Sequence, residues 1–575
     1  MQVTPTFFAL YRSDGESTPG WSRDRVQTLP VTWRTWSSDR LVVGWRDCGT
    51  VDATQPFLLW DGTGPPVAVA EMLRDPLATA RKSTGPFACL AVDPQHESAI
   101  LVTDHFGLMP LFRAFRAGIV GYSNSLGVLA QVLQLPIDLH PSSVREMLVL
   151  QMVLGNRTLL REAHYVSPAV VVTLATGEPL VQQYWGWNHL TPSLTPSRDI
   201  VQETYDIIEQ AVLASLPDRV SKVALPLSGG LDSRLLCAIL AKNGVPLQAY
   251  NIQFGKENPI AQRVADTLDV PLDCCPMWSR PESIPDAHRA MQCSYHVHQV
   301  WGWDMARRAA SEGQCDVLFD GLALDAVLGF THHVAGPGVA ELTASLVRNY
   351  VDICQKSLAR LLGETTARTW FDDVRAELSM EAAKALDESG SLCSDYFLMH
   401  NRLRKYTFGY CLANRKCISS RFPYVANRLF EHCMQLPTEL RAEHRLYRRL
   451  YQEQFPKLAV IPWAKTGLPL DRYRSVSTPS WRLYLNAAVR RLSWGSWSWD
   501  EAGAFDVALR RSQPLRAVFD AVLGLDVSAV NRIVPSPLCR SARRAQLRGY
   551  DLGGLLQGLY TVKHFTAVLK EGRWL

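Results

Sequence analysis

Six consecutive residues, Ser228-Gly229-Gly230-Leu231-Asp232-Ser233, combine the donors and the backbone freedom needed to grip a polyphosphate. Two glycines let the chain turn sharply and approach an anion with no Cβ in the way. A helix opening at this point would aim its free N–H groups and the positive end of its dipole at the same spot. The hydroxyls of Ser228 and Ser233 add two more donors. Asp232 would repel a bare phosphate, so a hard cation such as Mg²⁺, bridging carboxylate and phosphate oxygens, is expected beside it. The order of residues is not the GxxxxGK[ST] loop of enzymes that cleave the γ-phosphate. The plainer alternative is a glycine turn with a helix cap, since Ser and Asp cap helices well.

The elements around the loop agree with the phosphate reading. Lys222 to Leu227 is a short apolar strand, and Ser233 to Lys242 reads as a helix that Gly244 would terminate. Leu247 to Phe254 reads as the next strand and Pro259 to Leu268 as the next helix. That alternation predicts a parallel sheet with helices on its faces. Ahead of it, Ile200 to Leu216 has helical spacing of apolar residues, and Leu190 to Ser197 is rich in Pro, Ser and Thr and reads as a linker. Residues before the linker read as strands and turns with a few helices. The β-branched run Ala169 to Leu174 and the apolar run Ile100 to Asp104 are the clearest strands. From about residue 340 onward the apolar period is mostly helical.

The hexapeptide resembles the PP-loop of ATP pyrophosphatases, which cleave between the α- and β-phosphates. Further segments resemble the asparagine synthetase family: Cys315 to Asp325, with its Gly321-x-x-x-Asp325, then Ser420-Arg-Phe-Pro-Tyr424, Leu436-Pro437 and Ile461 to Gly467, in the family's order. By that resemblance Leu227, Ser228, Gly229, Gly230, Asp232, Ser233 and Gly321 hold ATP, with Gly321 against the activated acyl group. Asp232 and Asp325 carry Mg²⁺. Lys465 matches the catalytic lysine that neutralises charge as pyrophosphate leaves. Gly85-Pro-Phe87-Ala88, Asp104 to Phe112, Gly121 to Asn124 and Tyr184-Trp185 resemble the same family's glutamine amidotransferase domain.

The implied fold class is α/β. An N-terminal α+β amidotransferase-like (Ntn) sandwich at residues 1–192 is expected to precede a parallel-sheet PP-loop synthetase domain at 199–575, which ends in a helical extension. Two departures narrow the activity. Glutaminase chemistry in this family needs a cysteine at position 2, where this chain has Gln2, so the first domain is expected to be a structural relic lacking its catalytic Cys. Leu322 follows the matched glycine where asparagine synthetases have a glutamate and β-lactam synthetases a tyrosine, and leucine cannot move protons.

Among relatives that lack the cysteine, the chain is most similar to lasso peptide cyclases. Its length, its extension and Leu322 all lean that way. The resemblance then implies that an Asp or Glu side chain of a precursor peptide is adenylated and joined to the peptide's N-terminal amine as a macrolactam, releasing AMP and pyrophosphate. A leader-binding protein and a protease are the implied partners. A β-lactam or carbapenam synthetase-like amide ligase, an asparagine synthetase-like enzyme using free ammonia, and an inactive ATP- or peptide-binding scaffold are the alternatives. Asp395, Tyr396 and His400 are candidates for the base that takes the amine proton.

Composition sets the remaining bounds. The chain has 575 residues, 47% hydrophobic and 20% charged, and carries a formal charge of +5, too little at this length to call for nucleic acid. No apolar run is long enough to cross a bilayer and the first residues lack a signal pattern, so a soluble, cytoplasmic protein is expected. The 13 cysteines are scattered, and the pairs His296/His298 and His332/His333 lack partners at ligand spacing, so buried hydrophobes are expected rather than a metal cluster. The Arg-rich stretches near Arg510 and Arg543 read as a solvated helix face, or as a surface for an acidic peptide.

Overall fold

The computed structural model describes residues 5–12, 29, 32–192, 198–252, 257–328, 338–351, 358–472, 504–548, 550 and 552–574. Gln2, most of the expected linker and the pair His332/His333 lie outside them. The N-terminal part is two facing antiparallel sheets. One has the order β2-β3-β1-β8-β7-β9, from β1 (Thr6–Arg12), β2 (Arg34–Ser37), β3 (Leu41–Arg46), β7 (Phe112–Arg116), β8 (Ile119–Ser123) and β9 (Ala163–Tyr165). The other has the order β11-β10-β6-β5-β4, from β4 (Phe57–Gly62), β5 (Phe87–Asp93), β6 (Ser98–Thr103), β10 (Val170–Leu174) and β11 (Leu180–Gln183). The central strands β1 and β5 are buried almost along their whole length, as strands covered on both faces must be.

The second part is built on a five-stranded sheet of order β14-β13-β12-β15-β16, every neighbouring pair parallel. Its strands are β12 (Val223–Pro226), β13 (Leu247–Ile252), β14 (Leu272–Cys275), β15 (Val317–Phe319) and β16 (Ser419–Arg421). The helix Leu231–Lys242 follows β12 and Glu257–Leu268 follows β13, as the period predicts. Gly244 has φ +68, the left-handed turn that ends the first of them. The chain runs from β12 to β13 and β14 on one side, then crosses to β15 and β16 on the other. The carboxyl ends of β12 and β15 therefore flank the topological switch point, where open parallel sheets bind ligands. β16 is three residues long and carries no readable period, so only the structure reveals it.

The two parts are locked together by buried cations. Arg404 donates to Gly107 O at 2.9 Å, Val166 O at 2.7 Å and Asn156 Oδ1 at 2.9 Å, all on the N-terminal part. Arg415 pairs with buried Asp61 at 3.0 Å, and Arg157 bonds Glu377 at 2.6 Å. Asp104, read as an amidotransferase motif residue, accepts four backbone N–H groups, from Phe87, Phe106, Leu108 and Met109, and so shapes the turn that meets Arg404. No described helix is long and apolar enough to cross a membrane.

The C-terminal extension ends in the helix Gly553–Glu571, which packs on the segment 288–298 through histidines. His296 Nε2 bonds Gly554 O at 3.2 Å, His298 Nδ1 meets Gln557 at 3.3 Å, and the Nδ1 atoms of His288 and His564 are 2.7 Å apart. His288, Cys293 and His564 form a buried cluster that sequence spacing could not show. The 2.7 Å separation is a hydrogen bond, whereas two imidazoles on one tetrahedral ion at 2.0–2.1 Å would stand roughly 3.3 Å apart. Burial holds the pKa of all four histidines down, to about 4 for His298 and His564 and about 3 for His296, with Arg289 and Arg402 pushing the same way. The unfolded chain binds these protons from about pH 6.5 downward, the folded chain only near pH 4. Stability is therefore full above pH 6.5 and falls between pH 6.5 and 4, by about 1 kcal/mol per pH unit for each histidine. Thermal melts from pH 7.5 to 5 should show that decline, shallower in His564→Asn; a flat melting temperature would contradict it.

Candidate active site

At the end of β12 the chain is pinned on both sides of Leu227. Its N–H donates to Tyr250 O at 2.8 Å and its carbonyl accepts from buried Asn251 at 2.7 Å. The glycine loop then curls on itself. Ser228 N–H donates to Ser233 Oγ at 3.1 Å, and Gly230 N–H donates to Ser228 Oγ at 3.0 Å. Both hydroxyls thus sit at the mouth of the helix Leu231–Lys242. A Cβ at Gly229 would come within 2.6 Å of Ala464 Cβ, so only glycine lets the loop lie against the segment that carries Lys465.

That segment is clasped by Arg234, a fully buried cation one residue past the motif. Its guanidinium donates to Pro462 O at 2.8 Å, Ile461 O at 3.0 Å, Leu458 O at 3.2 Å and Gly229 O at 3.3 Å. Ala464 N–H closes on Gly229 O at 3.1 Å. Lys465 is left exposed at the cavity wall, its ammonium 5.6 Å from the centre of the Trp463 ring. A charged residue set directly before the apolar run Leu235–Leu240, in a helix buried along most of its length, was the available sequence signal for Arg234.

Gly321 follows β15 and presses on the start of the helix: a Cβ there would lie 2.9 Å from both Asp232 C and Ser233 N. Ala323 then takes φ +82, a left-handed conformation that costs a non-glycine residue about 1 kcal/mol or more. This turn brings Asp325 N–H to Asp232 Oδ2 at 3.0 Å. The other oxygen of Asp232 accepts from Tyr447 OH at 2.9 Å, while Tyr451 OH and Tyr424 OH bond the carbonyls of Leu231 and Asp232 at 2.5 and 3.3 Å. Tyr447 and Tyr451 stand four apart on the helix Arg445–Gln454, one face of which closes the site from behind.

Burial first, and the neighbouring charge of Asp325 second, push the Asp232 pKa well above the usual carboxylate value. Two carboxylates held this close suit a divalent cation, and Asp232 and Asp325 are the residues that would hold it. When bound, Mg²⁺ would neutralise phosphate charge. A third carboxylate, Asp320, sits in the cavity wall, accepts from Tyr410 OH at 2.6 Å, and is raised by burial to about 6.

These groups line one cavity of about 810 Å³. Leu227, Ser228, Gly230, Asp232, Ser233, Gly321, Asp325 and Lys465 all border it. Its far wall comes from elsewhere in the chain: Gln151 of the N-terminal part, and Phe505, Gly553, Gly554 and Gln557 of the extension. The candidate bases lie outside it. Asp395 is spent on Arg441 at 2.8 Å, and Tyr396 and His400 stack on each other and line a separate cavity of about 280 Å³ against the N-terminal sheets. They share a helical segment with residues that do face the site, but Tyr396 and His400 turn to the other part of the molecule and Asp395 to Arg441.

Comparison with known proteins agrees with this geometry. Residues 203–462 match the asparagine synthase family, and residues 69–185 match the glutamine amidotransferase domain family. The chain is accordingly an ATP-dependent, AMP-forming carbon–nitrogen ligase. The β12 loop and the β15 turn fall within the matched range, whereas Lys465 lies just past it and the extension wholly beyond it. No curated protein matches the sequence. Among solved structures, the allosteric regulatory enzyme of purine biosynthesis is 9% identical with a TM-score of 0.19, over 47% of this chain and 80% of its own. Glutamine phosphoribosylpyrophosphate amidotransferase from B. subtilis, complexed with ADP and GMP, is 9% identical with a TM-score of 0.16, over 48% and 75%. At those scores neither likeness carries weight.

Proposed function

We propose that the synthase domain adenylates an Asp or Glu side chain of a precursor peptide and closes a macrolactam with the peptide's N-terminal amine, as lasso peptide cyclases do. The observation that carries this reading is the cavity wall. The nucleotide loop opens into space enclosed by the extension and by Gln151, more enclosure than a nucleotide and one small amine call for. Gln2 and Leu322 add support, because they leave no family route for glutamine-derived ammonia and no proton-moving side chain after Gly321.

The steps follow from the residues. The helix start and the Ser228 and Ser233 hydroxyls hold the ATP phosphates with the α-phosphorus facing Gly321. The substrate carboxylate attacks that phosphorus; the bond to the bridging oxygen breaks, giving acyl-adenylate and pyrophosphate. Lys465 stabilises the charge gathering on the departing group. The amine then attacks the acyl carbon, AMP leaves, and Asp320 accepts the amine proton, its raised pKa suiting it to proton transfer near neutrality. A leader-binding protein and a protease would deliver the peptide with its amine free.

Leader-free precursor peptides, offered with ATP and Mg²⁺, test the reading. A product lighter than the peptide by one water, formed with one AMP, is expected; N-terminal acetylation should block the ring while pyrophosphate exchange continues. Amide formation with small amines, and none with any peptide, would move the assignment to a β-lactam synthetase-like ligase.

A further inference from the structure

A second chamber of about 380 Å³ abuts the nucleotide cavity, sharing Leu322, Ala323 and Asp325 with it. Arg402 stands in its wall with Tyr350 and Asn349. The guanidinium lies 3.7 Å from the centre of the Tyr406 ring and 5.7 Å from that of Tyr350. Tyr406 itself borders the nucleotide cavity, so Arg402 sits where the two chambers meet. Contact with ring faces leaves the in-plane N–H edges of a guanidinium unspent. Among the described residues no carboxylate pairs with Arg402, whereas Arg157, Arg415 and Arg441 each pair with one and Arg404 bonds three oxygens of the N-terminal part.

The backbone beneath it is built to hold this pose. Arg402 belongs to Leu398–Thr407, a π-helix, and Tyr350 to a second one, Val347–Val351. Such widened turns recur at functional sites because they re-aim side chains that an α-helix would direct elsewhere. Two and three residues on, Arg404 and Lys405 are buried and bonded to the N-terminal part, Lys405 Nζ to Arg157 O at 3.0 Å. One face of the π-helix is thereby fastened to the amidotransferase-type sheets while the other presents a cation to the synthase site.

We propose that this second chamber is the acyl-substrate subsite, and that Arg402 receives the carboxylate that is to be activated. The assignment rests on the adenylation reading above and names the group that recognises its substrate. A carboxylate matches the free edge of a guanidinium in two parallel N–H···O bonds, and a carboxamide of the same shape does not. Past Leu322 and Ala323 the same carboxylate reaches Asp325 and the phosphates. The N-terminal sheets acquire a role in this account: they hold the segment that aims Arg402.

Ligand-observed NMR on the full chain, with the N-acetyl, N-methylamide derivatives of aspartate and glutamate as probes and those of asparagine and glutamine as controls, tests the subsite. The acids should bind at least about tenfold more tightly than the amides to the natural chain. Arg402→Gln should remove that preference and leave the affinity for ATP unchanged; Arg402→Lys should keep part of it. Equal binding of acids and amides by the natural chain would overturn the proposal. So would an Arg402→Gln variant, folded by its thermal melt, that still prefers the acids; should that variant not fold, an Arg402→Lys variant with the full preference would do the same. Asp232→Asn, which blocks adenylation, should bind the acids as before, so a failure of the adenylation reading and a failure of the subsite give different results.

Discussion

Replacing Asp232 with Asn is expected to suppress AMP formation by at least about 10²–10³-fold while leaving the fold as stable as before or more so. Asp232 carries a charge that the folded chain disfavours, since burial and Asp325 raise its pKa. A carboxyl whose folded pKa is raised is stabilising only in its protonated form, so at neutral pH its charge costs stability, and the neutral amide removes that cost. The amide oxygen can still accept from Tyr447 or from Asp325 N–H, losing about 1 kcal/mol for the bond that is not remade. The charge is tolerated because the reaction uses it, and stability and activity should therefore move in opposite directions. Pyrophosphate exchange and a thermal melt on the same sample check both halves. A variant that keeps its activity would refute the metal assignment. One that melts far below the natural chain would refute the electrostatic account.

Gly321→Ala is expected to impair both the fold and the chemistry. The added methyl would lie 2.9 Å from the backbone of Asp232 and Ser233, atoms that cannot swing aside as a flexible side chain would. Relief requires the β15 turn and the helix start to separate, which costs about 1–3 kcal/mol as overpacking and also parts Asp325 from Asp232. A displacement of this kind near 1 Å is worth about 10²-fold in rate. Urea denaturation and AMP release should both report the change. Gly363→Ala makes an informative contrast: nothing lies within 4 Å of a Cβ there, so its cost is confined to the positive φ and should leave the rate per folded molecule intact. An active Gly321→Ala variant of natural stability would show that the two turns are not in rigid contact.

The loop half of the candidate site was legible because its residues are local. A strand, two glycines, two serines and a helix stand in one run of residues, and their spacing fixes what they can bind. Asp325 and Lys465 were legible only through resemblance, since each is an ordinary residue until the fold brings it to the loop. Arg234 lay in plain view as a charge within an apolar helix, but its four carbonyl partners are more than two hundred residues away, except Gly229. Tyr447, Tyr451 and Arg402 gave no signal of that kind. Aromatic and basic residues on a helix are common, and only packing tells which face meets a ligand. The same gap produced a misplacement: Asp395, Tyr396 and His400 were read as a candidate base from their position along the chain, yet Asp395 pairs with Arg441 and the helical segment turns Tyr396 and His400 to the N-terminal part. The extension was read as helical, and it is, but its part in walling the cavity depends on the helix Gly553–Glu571 docking on histidines that precede it by more than 250 residues.

Everything here turns on a carboxylate attacking the α-phosphorus of ATP. A precursor peptide carrying ¹⁸O in its Asp or Glu side-chain carboxylate tests that step directly, with mass analysis of the nucleotide product. The account predicts one ¹⁸O atom in AMP, with pyrophosphate unlabelled. Label in inorganic phosphate alongside ADP would contradict it.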